Sequence, residues 1–230
     1  IIMRTKDFIF ILIVIAVFLP FIISDTFYDW YLSFNAEHGM VMSFLKFGIL
    51  ATMGELLGLR ISRGVYYFEG FGVLPRAIVW GILGMGINMA FIVFSTGVPA
   101  FAEYLGVKNT EDILSGALSW QKVALAFSIS VVLNSIFAPV FMTLHKITDT
   151  HIMNNGGTLS GLFTPIKMGE IMQNLNWKVQ WGFVFKKTIP LFWFPAHTIT
   201  FLLPGEMRVL FAALLGVLLG VILSVAARKK

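Results

Sequence analysis

Apolar residues come in six long runs along the chain, at 8–24, 40–59, 77–96, 123–144, 189–203 and 209–226, separated by segments rich in charge, Gly or Pro. A bilayer core takes about 20 residues of helix, so this pattern predicts an all-α, polytopic integral membrane bundle. It would form a single membrane domain over 1–230 with about six transmembrane helices. The fifth run is the shortest and contains Pro190 and Pro195. It predicts a kinked span or the continuation of a helix that begins near Trp177 at the membrane surface. Pro204, Gly205 and Glu206 then predict a tight turn into the last span. Arg4 and Lys6 precede the first run, as they would in a signal peptide. The run ends in Phe21, Ile22, Ile23 and Ser24 without a small-residue cleavage pattern, so an uncleaved span is expected.

Composition agrees with this reading. Hydrophobic residues make up 57% of the chain and charged residues 13%, against about 25% charged in soluble domains. Mean hydropathy is +0.84. A soluble fold of this makeup would expose too much apolar surface. The net charge of +5 does not point to nucleic acid, because the basic residues sit in short clusters between apolar runs with no interleaved surface aromatics. These clusters act as topology signals. With both termini inside, 13 of the 17 Lys and Arg fall inside, including Arg60, Arg63, Arg76, Lys146, Lys178, Lys186 and Arg228 to Lys230. Outside lie Lys108, Lys122 and Arg208, and Lys46 falls within a span. The inside loop 145–187 is the longest, and its amphipathic stretch 166–181 is expected along the membrane surface. Zero cysteines exclude disulfides and thiolate chemistry.

In lipid, helices pack closely where small residues let their backbones approach. Ala212, Gly216, Gly220 and Ser224 recur every four residues on one face of the last span, and Gly54 and Gly58 repeat that spacing in the second. Such stripes serve packing within the bundle or a homo-oligomer face. Gly81, Gly84, Asn88 and Ser95 share one side of the third span, Ser130 and Asn134 pair by spacing in the fourth, and His197 lies in the fifth. Together with Glu55 they suggest a polar seam through the bundle.

Intramembrane polar residues call for a role. Lys46 is expected to snorkel, and Glu55 to sit near Arg60 or Arg63 at the inner face or to line a polar path. Asn88, Asn134 and His197 could line a pore, bind a solute or bond across helices, and His197 could also relay protons. The chain lacks H-E-x-x-H, G-x-S-x-G and Walker patterns and close intramembrane carboxylates, so no catalytic residue, cofactor or enzyme activity is implied. His145, Asp149 and His151 match no strong metal spacing, and a solvated loop is the expectation there.

Segment 174–224 resembles the C-terminal signature of the Mpv-seventeen / peroxisomal-membrane-protein-twenty-two family. The matching elements are Asn176-Trp177-Lys178-Val179, the aromatic Pro-containing stretch 190–201, Pro204-Gly205-Glu206-Met207-Arg208 and Leu223-Ser224. Asn134 ahead of Phe137-Ala138-Pro139, and the pair Gly54-Glu55, are similar to two further family elements, so the likeness spans roughly 47–224. The chain departs from the family at Leu133, where an acidic residue is usual, in lacking the last-span tryptophan, and in an extra N-terminal span. The resemblance implies a small membrane protein with pore-like conductance of small solutes. It nominates Glu55, Asn134, Pro139, Trp177, Pro204 and Arg208, with packing and interface anchoring as roles for the prolines and the tryptophan.

The expected function is thus a small-solute channel or transporter whose seam of Glu55, Asn88, Asn134 and His197 offers hydrogen bonds in a low-dielectric interior. The alternative is a non-catalytic scaffold or assembly factor using the last-span stripe and the long loop. The basic N-terminal flank suits direct insertion, so a prokaryotic inner (plasma) membrane is the expected location. The bilayer and an unidentified solute are the expected partners.

Overall fold

The computed structural model describes residues 4–228, with side chains to 226. Lys229, Lys230 and the Arg228 side chain, all counted above as inside charges, lie outside the described residues. Every regular element among those described is helical: α1 (Thr5–Ile23), α2 (Asp25–Glu37), α3 (Gly39–Arg63), α4 (Val73–Tyr104), α5 (Thr110–Ser115), α6 (Trp120–Asn154), α7 (Leu159–Leu162), α8 (Met168–Asn174), α9 (Trp177–Val179), a π-helical stretch (Gln180–Trp193), α10 (Phe194–Leu202) and α11 (Gly205–Arg228). Five helices are long and apolar enough to cross a membrane: α1, α3, α4, α6 and α11. This is the build of a multi-pass helical membrane bundle.

Local chemistry sets several helix ends. The Asp7 carboxylate accepts from Arg4 N–H at 2.7 Å and starts α1, while Ser24 Oγ accepts from Phe27 N–H at 3.2 Å and starts α2. Gly64 ends α3 in the left-handed region at φ 76°, its N–H donating to Arg60 O at 3.0 Å. Ser119 Oγ caps α6, and Asn176 Oδ1 caps α9.

The observed helices outrun the hydropathy pattern. α6 has 35 residues, about 52 Å at 1.5 Å per residue, against a hydrocarbon core of about 30 Å. Predicted loop residues 145–154 are therefore the last turns of α6, and the rest of the 145–187 segment is broken into α7, α8, α9 and the start of the π-helical stretch. Hydropathy reports bilayer depth, whereas a helix continues until a cap or breaker stops it, here Gly156 and Gly157 at φ 68° and 66°. The amphipathic part exposes Ile166, Met168, Met172, Trp177 and Trp181.

The predicted fifth span, 189–203, is the C-terminal part of one winding from Trp177 to Leu202. Its middle takes i→i−5 bonds, as in Phe194 N–H to Ile189 O, where Pro190 and Pro195 supply no N–H for the usual ladder. α2, in a segment read as an outside loop, also forms a helix, and exposes Tyr28, Trp30 and Leu32.

Helix α3 is the axis of the bundle. On one side a Cβ at Gly48 would stand 3.0 Å from Ala77 O, at Gly81 2.5 Å from the Phe44 ring and at Gly84 2.5 Å from Phe47 Cβ, so α4 presses directly on it. On the other side a Cβ at Gly58 would meet Ser224 Oγ at 2.8 Å, and at Gly54 it would meet Val217 Cα at 3.2 Å. Two residues of the small-residue stripe of α11, Gly220 and Ser224, are thereby used inside the chain, against Gly54 and Gly58, while Gly216 has open space beside it. α6 packs on α4 and α10, and α11 follows α3 rather than α6. The core between them includes Phe47, Phe91, Ile129, Leu133, Phe201 and Ala213.

α1 is peripheral, exposing Phe8, Ile9, Leu12 and Ile22. Arg60 clamps it with two bonds of 2.6 Å to the Asp7 carboxylate, and Tyr66 O–H donates to the same group at 2.9 Å. Burial first, and the Asp7 carboxylate second, raise the Tyr66 phenol pKa, so it remains a donor. Lys46 does not snorkel: its ammonium donates to Asn35 Oδ1 of α2 at 2.5 Å and lies 5.1 Å from the Tyr31 ring centre.

Candidate functional site

Because α11 leans on α3, a gap separates it from α6. This gap is a cavity of about 760 Å³, within the range of small-molecule sites. Its walls are largely apolar and aromatic, with Phe47, Phe91, Phe137 and Phe141 among them. Glu55, Asn134 and His197 all line it, and Asn88 does not. Asn88 instead donates to Gly39 O at 3.3 Å and to Met40 Sδ at 3.6 Å, at the start of α3.

Polar groups gather at two places in the cavity. The first is its mouth, near the last turns of α3 and α6 and the first turn of α4. The Glu55 carboxylate accepts from Arg76 Nη1 at 2.9 Å and from Trp80 Nε1 at 2.9 Å, and His145 Nε2 stands 3.3 Å from it. Arg76 also pairs with Asp149, donates to Phe71 O at 2.7 Å and stacks 4.3 Å from the Phe71 ring centre, while Lys146 reaches Asp149 at 3.2 Å. The formal charges of Glu55, Asp149, Arg76 and Lys146 cancel. Glu55 is thus paired with α4 and α6 rather than with Arg60 or Arg63, since Arg60 is committed to Asp7. Arg63 also lines this end.

The second place is the closed end, built from neutral groups alone. Ser130 Oγ–H donates to Phe194 O at 2.8 Å; Asn134 Nδ2 donates to Ser130 O at 2.8 Å and contacts Ser130 Oγ at 3.3 Å. His197 Nδ1 lies 3.1 Å from Asn134 Oδ1. A carbonyl oxygen only accepts, so the Asn134 NH₂ must face Ser130 O, and Asn134 Oδ1 must face His197. The His197 Nδ1 therefore carries a proton, which leaves Nε2 as the acceptor when the ring is neutral. Phe91 meets the imidazole edge to face at 5.4 Å, and Trp193 lies 4.8 Å from it. Beyond this point the bundle is filled by Ala126, Ile129 and Phe201, each at most 1% exposed, which closes the cavity at this end.

Pro139 lies within α6, where its carbonyl accepts from Thr143 Oγ1 at 2.7 Å. Trp177 Nε1 donates to Met172 O at 2.9 Å and ties α9 to α8. Pro204 opens the turn into α11, and Arg208 Nε donates to Leu203 O at 3.1 Å, closing the end of α10. None of these four lines the cavity. His151 bonds Leu162 O and Asn155, and among the described residues no group of His, Asp and Glu is arranged to hold a metal ion.

Residues that the sequence reading left out of the seam are Arg76, Trp80, His145 and Trp193. Arg76 had been weighed only as a topology charge. The 76/80 spacing does place Arg76 and Trp80 on one face of α4, but nothing in the spacing says that Glu55 lies opposite. Comparison with protein-family models, with curated proteins and with solved structures gives no significant match for this chain.

Proposed function

We propose that this protein is a transporter-like membrane protein that binds a small solute in the cavity between α6 and α11 and exchanges it across the bilayer. The observation that carries the reading is the cavity with three of the four seam residues, Glu55, Asn134 and His197, on its wall. A cavity whose inner end is packed with apolar side chains suits alternating access better than an always-open pore. The positive-inside pattern supports six crossings, the sixth being the π-containing winding, with both termini and the cavity mouth on the inner side of a prokaryotic plasma membrane. The family resemblance adds the same expectation of small-solute passage. The scaffold alternative draws less support, because Gly220 and Ser224 of the α11 stripe it would use pack on α3 of the same chain.

Solute flux into proteoliposomes tests the reading, with the parent run beside Asn134→Leu/His197→Leu after both are shown to be folded. Flux in the parent and at least a tenfold loss in the double variant (about 1.4 kcal/mol) is expected. Equal flux in the two, or none in the parent across a panel of neutral and charged solutes, would sink it.

A further inference from the structure

The mouth of the cavity holds one cation more than its carboxylates use. Glu55 and Asp149 are answered by Arg76 and Lys146, which leaves Arg63, the last residue of α3. No carboxylate among the described residues pairs with Arg63. Its guanidinium lies 5.3 Å from the ring centre of Phe68, which lines the mouth with it, and stacking on one face leaves the in-plane N–H groups to an acceptor. Arg63 is exposed, as are Ser62, Lys146 and Met153 on the same rim, so an incoming group has access to it. Glu55 sits deeper on α3 by about 12 Å at 1.5 Å per residue, with its oxygens taken by Arg76, Trp80 and His145.

Inward from the mouth the walls are mostly hydrocarbon, among them Ile87, Leu133, Phe137, Phe141 and Leu219, and the polar pair at the far end, Asn134 and His197, is bonded to itself. α3 lines the cavity from Phe47 to Arg63, about 24 Å at 1.5 Å per residue. A bilayer core of about 30 Å is two acyl chains deep, so one chain takes about 15 Å and fits within that length. A small hydrated anion would have to give up its water to apolar walls. An uncharged chain would leave Arg63 unanswered, and a zwitterion would bring a second cation to a rim that already has one in excess.

We infer that the cavity takes a single-chain amphiphile with one negative charge, a long-chain carboxylate, with its head on Arg63 and its chain in the gap between α6 and α11. This names a substrate class for the proposed transport cavity and rests on that cavity being a binding site. Gly216 lies on the α11 wall of the gap with open space beside it, so a side chain placed there enters the path of the acyl chain without a clash at its Cβ.

The test uses the full chain in nanodiscs of zwitterionic lipid at about pH 9, where a membrane-bound carboxylate is ionised. Binding of tritiated palmitate is read by scintillation proximity against empty nanodiscs. Saturable, single-site binding is expected, with hexadecanol competing about tenfold more weakly than palmitate and acetate not competing. Arg63→Gln should weaken palmitate about tenfold and leave hexadecanol unchanged, and Gly216→Phe should weaken both by about tenfold or more by filling the gap. Both variants are checked for folding by circular dichroism. Binding that does not saturate, hexadecanol competing as well as palmitate, or either folded variant binding palmitate like the parent overturns the inference. Displacement of palmitate by an equal concentration of dioleoyl phosphatidylglycerol would overturn the single-chain assignment. Flux of another solute without palmitate binding would refute the ligand class and leave the transport reading standing; palmitate binding without flux would do the reverse.

Discussion

The two histidines on the cavity wall occupy contrasting surroundings. His145, at the mouth, stacks on Trp80 at 4.3 Å and faces a carboxylate that Arg76 already holds, in a cluster of full charges that cancel. His197, at the closed end, is fixed by a serine and an amide, in a chain of neutral bonds that begins at a backbone carbonyl. Both clusters join α6 to other helices, but charges of opposite sign lock one another, while a chain of neutral donors and acceptors ends in a free valence. The mouth cluster is thus a fastening, and the closed end is a socket. That contrast explains why burying charge at the mouth is tolerable in a low-dielectric interior.

Several substitutions would break or sharpen this contrast, all read as unfolding free energy in mixed micelles. The largest effect is expected for Glu55→Leu, which removes one of two carboxylates from Arg76 and should destabilise by about 3 kcal/mol. A loss under about 1 kcal/mol would mean that Asp149 alone suffices and that the mouth is not a coupled cluster. Asn134→Leu should remove about 2 kcal/mol by leaving His197 Nδ1–H without its acceptor. If Asn134→Leu proves neutral, the neutral chain does not organise the closed end. His145→Phe keeps the stacking on Trp80 and loses only the 3.3 Å contact to Glu55, so about 1 kcal/mol is expected. An effect as large as that of Glu55→Leu would make His145 rather than Arg76 the partner that matters. Lys146→Ala, at a side chain 53% exposed, should stay within about 0.5 kcal/mol.

Hydropathy could reveal the bundle because apolar length is a one-dimensional property, and each of the five long helices covers one of the runs it marks, α1 to within one residue. Helix ends were less visible, as α6 shows by running to Asn154, since polar residues in a helix beyond the bilayer look like loop. α2 was hidden for the same reason, its acids Asp25, Asp29 and Glu37 reading as a connection. In the site, the Ser130–Asn134 contact was legible from a spacing of four. The bond from Asn134 to His197 crosses 63 positions, and the pairing of Glu55 with Arg76 crosses 21, so neither had a local signal. Proximity along the chain favoured Arg60 for Glu55, but Arg60 is drawn 53 positions away to Asp7. Lys46 looked like a snorkelling residue only because α2, which carries its partner Asn35, had not been seen.

The chain of bonds from Phe194 through Ser130 and Asn134 to His197 has an electrical consequence. A proton can travel along hydrogen bonds only where every link can accept one and release another, and the Asn134 amide does not do so near neutral pH. The link between the imidazole and the serine is therefore an insulator, and a proton that reached His197 from the mouth would have no onward carrier. A membrane crowded with this protein should keep an imposed pH difference, as a pH-sensitive dye sealed inside proteoliposomes would report.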